Sequence, residues 1–478
     1  MLKTSVPRIL VAGTGGGVGK SLLVLGLLVA LRKRGMSVSC CVTGEALHHA
    51  ALYSRITRRY TRVLDRKLLG HAELLNTLYQ ASLGADIVII DGQAGLYDGV
   101  SANDLLGSDA EIAQVTGTPV VLVHQLQDFS ESVADFVHSF VSRAGAPPVA
   151  GLVGNRLPVL ENRELFQPYP ALKDLNKLME ARSAPQFLGG LPLAHFSAQL
   201  PPSQLSQEEN TTSLPMQLFL DVGNLVSNEV DIDALLKVAA TAAPIEVVVD
   251  DVGPSKRICR FAVTDDACFN LCYQDNLDLL RYYGAEIVPF SPLADSALPK
   301  KIGGLYVTGA YLKLYGEEIS RNEGLRRSIK QFADRGGVVY SEGAGTAFLC
   351  RSFQLEKGGR SYPGVGMIPA EAFPVQQPRA LLKAETVDDS VLGFSGLLLR
   401  GISTGDWSLG GLHTGAGHHI VHTIRIVLPG LEGTNEGYSA SAQSCSTFHF
   451  LHFGSNPQVA KSLVEAAQVA ERSVKSSE

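Results

Sequence analysis

The stretch Gly13-Thr-Gly-Gly-Gly-Val-Gly-Lys20-Ser21 constrains this chain more than any other feature. It follows the apolar residues Ile9-Leu-Val-Ala12 and precedes an apolar run, 22–31, that ends at Arg32-Lys33-Arg34. The pattern predicts a buried strand, a glycine turn, a helix over 21–34 and a second strand over 37–42. In that order, backbone N–H groups of the glycines converge on phosphate oxygens at a helix N-terminus, a lysine reaches the β/γ oxygens and a hydroxyl holds Mg2+. Thr14, Gly15, Gly16, Gly17, Val18, Gly19, Lys20 and Ser21 are therefore the candidate nucleotide-binding residues, with Thr14 in place of the first glycine of the strict pattern. ATP and Mg2+ are the implied ligands. The apolar run is about half the length needed to span a bilayer, so it reads as a buried helix. No signal-peptide pattern precedes it, which makes the cytosol the expected compartment.

Strand signals recur at 85–90, 118–123 and 149–155, with helical patterns between, so residues 1–200 are expected to form an α/β domain with a doubly wound parallel sheet. Asp91 ends the first of these strands, where its carboxylate faces the phosphates and can bind Mg2+, or else merely caps a turn. Composition shifts to Pro, Ser and Gln from 197 to 215, which marks a linker region, 201–256, closed by a helix over 231–240. A second alternation over 257–478 predicts another α/β domain: strands at 258–263, 286–290, 304–308, 337–340 and 447–453, helices at 276–283, 322–335 and from 457 to about 474. With 45% hydrophobic and 18% charged residues the chain is neither disordered nor a charge-rich coiled coil. A net charge of −6 gives no global field for nucleic acid or an anionic membrane, and an odd seven cysteines make no disulfide framework.

The ordered segments Ala12-Gly-Thr-Gly-Gly-Gly-Val-Gly-Lys-Ser21, Leu64-Asp65, Asp91-Gly-Gln-Ala-Gly-Leu-Tyr-Asp-Gly99, Asn155-Arg156, Asp275-Asn-Leu277, Phe290-Ser-Pro-Leu293 and His452-Phe-Gly-Ser-Asn-Pro457 carry a resemblance. Together they resemble the cobyrinic acid a,c-diamide synthase family, glutamine-dependent enzymes that amidate acetate side chains of corrinoid and related tetrapyrrole precursors. The resemblance implies a carboxy-terminal domain like class I glutamine amidotransferases. It implies that the first domain moves the γ-phosphoryl of ATP to a substrate carboxylate, giving an acyl phosphate that ammonia displaces. Lys20, Asp91 and Asp98 are then the candidate catalytic residues, Ser21 and Asp91 the metal ligands, and Asn155 the adenine reader or else a turn-holding residue.

Three departures set this chain apart. Where the family carries Lys-x-Gly-Pro-Asp-Tyr-x-Asp, Val42 replaces the lysine and Ala46 and His49 replace the aspartates, leaving Glu45 as the nearby acid. At the glutaminase turn, Glu-Cys-Gly-Gly in the family, Tyr340-Ser-Glu-Gly-Ala-Gly345 puts Gly343 at the nucleophile position, and glycine has no side chain to form a thioester. Near the end, Phe450 stands where the base histidine belongs, while His449 falls on the opposite strand face. The oxyanion loop is also altered, to Thr308-Gly-Ala310, and Cys350, expected on the following helix, reads as a small core residue.

Other clusters carry weaker signals. His413, His418, His419 and His422 have spacing that metal ligands can use, though tolerated strand histidines also fit. Cys268 and Cys272 share one face if their segment is helical, without a second pair at zinc spacing. The basic stretch with Arg55, Arg58, Arg59, Arg62, Arg66 and Lys67 is either a solvated face or a contact for tetrapyrrole carboxylates, and it is too small to make a nucleic-acid surface. Two functional readings stand: amidation of a tetrapyrrole with ammonia made elsewhere, or a nucleotide-binding protein that kept the scaffold for tetrapyrrole binding or assembly. The expected partners are a tetrapyrrole carboxylate substrate, a separate ammonia source and a second copy of the chain, with no nucleic acid and no membrane.

Overall fold

Continuous apolar strands are stable where helices cover both faces of a parallel sheet, and the first part of the chain is built that way. The computed structural model describes residues 2–44, 47–101, 104–126, 131–143, 145–157, 170–192, 216–248, 256–309, 311–410, 421–428 and 432–475. It divides into two units, Met1–Val249 and Asp250–Glu478. The first contains β1 (Leu2–Thr4), β2 (Arg8–Gly13), β3 (Val38–Thr43), β4 (Arg62–Leu64), β5 (Ile87–Gly95), β6 (Val120–Gln125), β7 (Val149–Leu157) and β8 (Gln186–Pro192). Seven of these form one parallel sheet in the order β4-β3-β5-β2-β6-β7-β8. Strand order reverses beside β2, so the loops after β2, β5 and β6 meet at the carboxyl edge, where such sheets bind ligands.

The helices follow from the same pattern. α1 (Lys20–Lys33) is buried from Leu23 to Leu31, α2 (Leu47–Thr57) and α3 (His71–Ser82) are amphipathic, and α4 (Asp109–Thr116) is capped by Ser108, whose hydroxyl accepts from Glu111 N–H. α5 (Glu131–Val141) follows β6. Because α1 is apolar all round, it needs cover on a second side, and the helix Met216–Glu229 provides it. The two approach closely at glycines: a Cβ on Gly26 would overlap Val226, and one on Gly223 would overlap Val29.

The stretch expected as a linker, 201–256, thus contributes to the first unit in its described part. The helix Ile232–Ala239, capped by Asp231, and the strand Ile245–Val247, antiparallel to β1, complete that contribution. Burial of α1's second face is the physical reason, and a polar loop composition upstream of it hides this from periodicity arguments.

In the second unit the parallel strands Ala285–Phe290, Cys259–Thr264, Gly304–Val307, Val338–Glu342 and Ser444–Thr447 lie in that order. Antiparallel strands Thr434–Ser439, Val421–Val427, Ala380–Thr386, Leu398–Ser403 and His449–His452 continue the sheet. One apolar cluster, with Phe261, Tyr306, Tyr340 and Phe453, includes the inward face of the final helix, and another, with Phe269, Phe348 and Phe353, lies around the helix Ala344–Leu349. The single strand expected over 447–453 is broken at Phe448, whose N–H donates to Glu436 Oε1 at 2.9 Å. Its halves occupy separate places in the sheet, which curls until Leu451 N–H donates to Glu342 Oε1 at 2.9 Å.

Two local expectations change. Cys268 and Cys272 lie on bends rather than a helix, because Asp266 Oδ1 draws the N–H groups of Cys268 and Phe269 into a turn. Cys350 begins a strand, Cys350–Gln354, and is fully buried there. Among the described residues no helix is long and apolar enough to cross a membrane.

Arg8 ties the first unit together. Fully buried, it donates to Thr118 Oγ1 at 3.0 Å, to the carbonyls of Thr116 at 2.6 Å and Val6 at 3.3 Å, and to the carbonyl of Ala243 beyond the last helix of the unit. Burial pulls its pKa down to about 10. Replacing Arg8 by Ala leaves those acceptors unpaired, and a loss of about 3 kcal/mol is expected in urea unfolding followed by circular dichroism.

Candidate functional site

The glycine loop runs from the end of β2 to the start of α1. Thr14 N–H donates to Val123 O at 3.1 Å and the Thr14 hydroxyl pairs with His124 Nδ1 at 2.9 Å, fixing the loop to β6. Gly17 and Gly19 take φ of +71° and +98°, a region costly for side chains. Asn155, at the end of β7, donates from Nδ2 to Val18 O at 2.8 Å, and a Cβ on Gly19 would overlap this amide. The structure thus puts the Asn155 side-chain amide on the backbone of the glycine loop.

Lys20 is 5% exposed and donates to Gly15 O at 3.2 Å. Burial pulls its pKa down, against the opposing charges of Asp109, Asp91 and Asp98 in that order. Ser21 Oγ donates to Asp91 Oδ2 at 3.2 Å, and Tyr53 OH donates to the same oxygen at 2.7 Å. His49 Nδ1 lies 3.6 Å from it, so the histidine found in place of the family's second aspartate packs beside the Asp91 carboxylate, which sits in the middle of β5 rather than at the strand end expected, because pairing with β2 and β3 continues through it. Val42 is fully buried in β3, in register with Asp91. Glu45 and Ala46 lie outside the described residues.

Of the three expected acidic and basic residues, Lys20 and Asp91 are buried, while exposed Asp98, whose charge also reaches Lys20, accepts from Gly95 N–H at 2.8 Å and closes the turn after β5. Asp109 is the residue that sequence reading missed. It opens α4 and accepts from Thr43 Oγ1 at 2.7 Å. Its other oxygen fills the space that a side chain on Gly92 would take. Desolvation pushes its pKa up to about 7 against Thr43 and Lys20. The capping sequence Ser108-Asp-Ala-Glu111 could have placed it in a first helical turn, but nothing in its spacing announces Lys20.

A hard divalent cation at a nucleotide site takes one or two carboxylates and completes its shell with phosphates and water. The residues present fit that requirement: Ser21 supplies a hydroxyl, and Asp91 Oδ1 and Asp109 Oδ2 are buried oxygens without a hydrogen-bond partner. Among the described residues no three His, Cys, Asp or Glu form a metal cage of their own. His413, His418 and His419 lie outside the described residues, and His422 sits edge-on to Tyr438, their ring centroids 5.5 Å apart.

The basic stretch disperses on folding. Arg62 is buried in β4, Arg66 pairs with Glu111 at 3.2 Å, Lys67 Nζ lies 3.7 Å from Asp65 Oδ2, Arg59 donates to the carbonyls of Leu83 and Gly84, the Arg55 guanidinium lies over the Phe219 ring, and Arg58 is exposed.

In the second unit the turn after Val338–Glu342 keeps the geometry of a strand-to-helix elbow. Gly343 stands at its apex with φ +53° and ψ −128° and caps the helix Ala344–Leu349. Phe450, 2% exposed, fills the space in front: a Cβ on Gly343 would lie 2.8 Å from its Cζ. His449 faces away, 3.7 Å from Glu436 Oε2. Behind the elbow, Glu342 accepts from Tyr306 OH at 2.6 Å, Tyr340 OH at 2.7 Å and Leu451 N–H, while burial pushes its pKa up to about 7. Asn276, from the Asp275-Asn-Leu277 motif, donates to Leu451 O at 2.8 Å and accepts from Phe453 N–H at 2.8 Å. That motif anchors the closing strand.

The CobB/CobQ-like glutamine amidotransferase domain family matches residues 260–391, inside this second unit. A cobyrinate a,c-diamide synthase of Listeria monocytogenes is 30% identical over 400 residues, covering 82% of this chain and 85% of the relative. The chain belongs to the cobyrinate a,c-diamide synthase family. Another cobyrinate a,c-diamide synthase, from Leptospira interrogans, is 29% identical over 471 residues, covering 97% of this chain and 99% of its own. The hydrogenobyrinate a,c-diamide synthase of Streptomyces coelicolor is 27% identical over 509 aligned positions, covering 98% and 99%. The family scaffold thus extends through both units, with a glycine and a phenylalanine at the elbow of this cobyrinate a,c-diamide synthase family member.

Two outcomes follow from the elbow. Gly343→Cys alone forces a Cβ against the Phe450 ring at positive φ, so it should lower stability by about 2 kcal/mol, and adding Phe450→His should recover part of that loss in thermal unfolding. The carboxyl of Glu342 rises from 4.5 to about 7 on folding, so the folded state holds an extra proton between those values. Its contribution is full below that window and falls as pH rises through about 7. Fluorescence of Trp407, the chain's one tryptophan and buried in this unit, should report unfolding that loses this slope in Glu342→Gln.

Proposed function

We propose that the first unit amidates carboxylate side chains of a tetrapyrrole at the expense of ATP, using ammonia that its own second unit does not make. The observation that carries this is the loop holding Lys20 and Ser21 against buried Asp91 and Asp109, in a chain whose elbow bears Gly343. The relatives' names supply the substrate class: cobyrinate and hydrogenobyrinate are tetrapyrrole-derived acids, and both sets of relatives are diamide synthases.

The loop glycines offer N–H groups to the phosphates and the α1 N-terminus adds its positive end. Lys20, where the surrounding carboxylates oppose the effect of burial, leaves Gly15 O to meet the β/γ oxygens. Ser21 and Asp91 would hold Mg2+, which neutralises phosphate charge when bound. A substrate carboxylate oxygen attacks the γ-phosphorus and ADP leaves, giving an acyl phosphate. Ammonia then attacks the acyl carbon, phosphate departs, and the nitrogen loses a proton to give the amide. Phosphate replaces hydroxide as leaving group, which is the purpose of spending ATP.

A second reading, nucleotide-dependent binding or assembly without turnover, is favoured by Val42, by Ala46 and by the approach of His49 and Tyr53 to Asp91. Mass spectrometry of tetrapyrrole carboxylic acids incubated with protein and Mg-ATP separates the two. Ammonium alone should convert hydroxyl to amine, glutamine alone should not, and Lys20→Ala should reduce turnover at least about 1000-fold. Amidation with glutamine as sole nitrogen source would overturn the separate ammonia source; nucleotide binding without product would favour the second reading.

A further inference from the structure

We infer that Asp109 supplies the second negative charge of the divalent-cation site at the phosphate loop, a part that the first-unit sequence leaves vacant at Ala46 and His49. This rests on reading that loop as a Mg-ATP site, and it goes beyond it by naming a residue on a different element.

Asp109 is 4% exposed, and its Oδ2 is buried without a partner, as is Asp91 Oδ1. Burying an unsatisfied carboxylate oxygen costs free energy, and here one such oxygen belongs to Asp91 and the other lies against Gly92, the next residue along β5. Thr43 orients the other Asp109 oxygen at 2.7 Å, and the absence of a side chain on Gly92 leaves room for Oδ2 under the strand β5 that carries Asp91. Ser108 caps α4 and sets Asp109 in its first turn, so the side chain is placed by a rigid element rather than by a loop. Of the charges acting on Lys20, that of Asp109 is the largest. In the absence of a cation the same charge opposes a triphosphate.

The test follows from that sign. Asp109→Asn keeps an acceptor for Thr43 and removes the charge; Asp109→Glu keeps the charge. Binding of a fluorescent ATP analogue is measured with Mg2+ and with chelator. Wild type should bind more tightly with Mg2+, and Asp109→Asn should cut that metal-dependent tightening by about tenfold or more while leaving metal-free binding equal or stronger. Asp109→Glu should retain part of the tightening. If Asn fails to fold, Asp109→Thr serves as the neutral variant. A neutral variant with undiminished tightening, or one that loses metal-free and Mg2+-bound affinity in equal proportion, would overturn the assignment and leave the ATP site standing. Wild type that binds equally with and without Mg2+ would overturn both.

Discussion

Everything at the front of the first unit depends on the approach of Asn155 to Gly19. The amide grips the carbonyl of Val18 and occupies the volume where a side chain at 19 would go, so the loop passes through a left-handed residue before α1 begins. That contact sets where Lys20 and Ser21 leave the helix axis. It would be idle if α1 could slide, and the packing behind forbids that. Gly26 and Gly223 let α1 and the helix Met216–Glu229 interlock against Val226 and Val29, and displacement along the axis would drive these groups into one another. The position of Lys20 is thereby set in part by residues about two hundred positions downstream.

In the second unit the elbow geometry is kept with a glycine at its apex. A residue with φ +53° and ψ −128° stores strain of about 1–3 kcal/mol when it carries a side chain. Glycine at 343 removes that strain, and the Phe450 ring fills the space left in front of it. The polar groups that persist are those that hold the sheet together, since Glu342, Asn276 and two tyrosine hydroxyls join it where its last strand returns.

The strand–loop–helix at 8–33 was legible in the sequence because local and tertiary demands agree there: an apolar strand, glycines at positive φ and a helix needing burial. Asp91 was legible from the apolar run before it, although β5 continues past it to Gly95, and the elbow glycine was legible only through the resemblance to the family's turn. Asp109 was not, since its relation to Lys20 arises from a crossing of β5 and α4 that no spacing encodes. The antiparallel half of the second sheet was missed too. Its strands, such as Thr434–Ser439 and Val421–Val427, alternate weakly and mix polar residues inward, where Glu436 accepts from Thr447 and Phe448. Cys268 and Cys272 misled because spacing implies a face only when the backbone is helical, and Asp266 makes it turn.

The departures in the two units differ in kind, and the difference bears on function. At the elbow, the positions that the family resemblance aligns with a cysteine and a histidine hold Gly343 and Phe450, which leaves no polar side chain at either position to bury at a cost. At the phosphate loop the exchanges leave charge inside: Lys20, Asp91 and Asp109 are all nearly inaccessible, and two carboxylate oxygens lack hydrogen bonds. A protein core does not hold such groups cheaply. Drift without use would favour the first kind of change at both places. The second unit packs an aromatic ring at its elbow, whereas the first holds buried charge whose electrostatic cost a bound phosphate and cation would offset, and this difference is why the proposed chemistry is placed in the first unit.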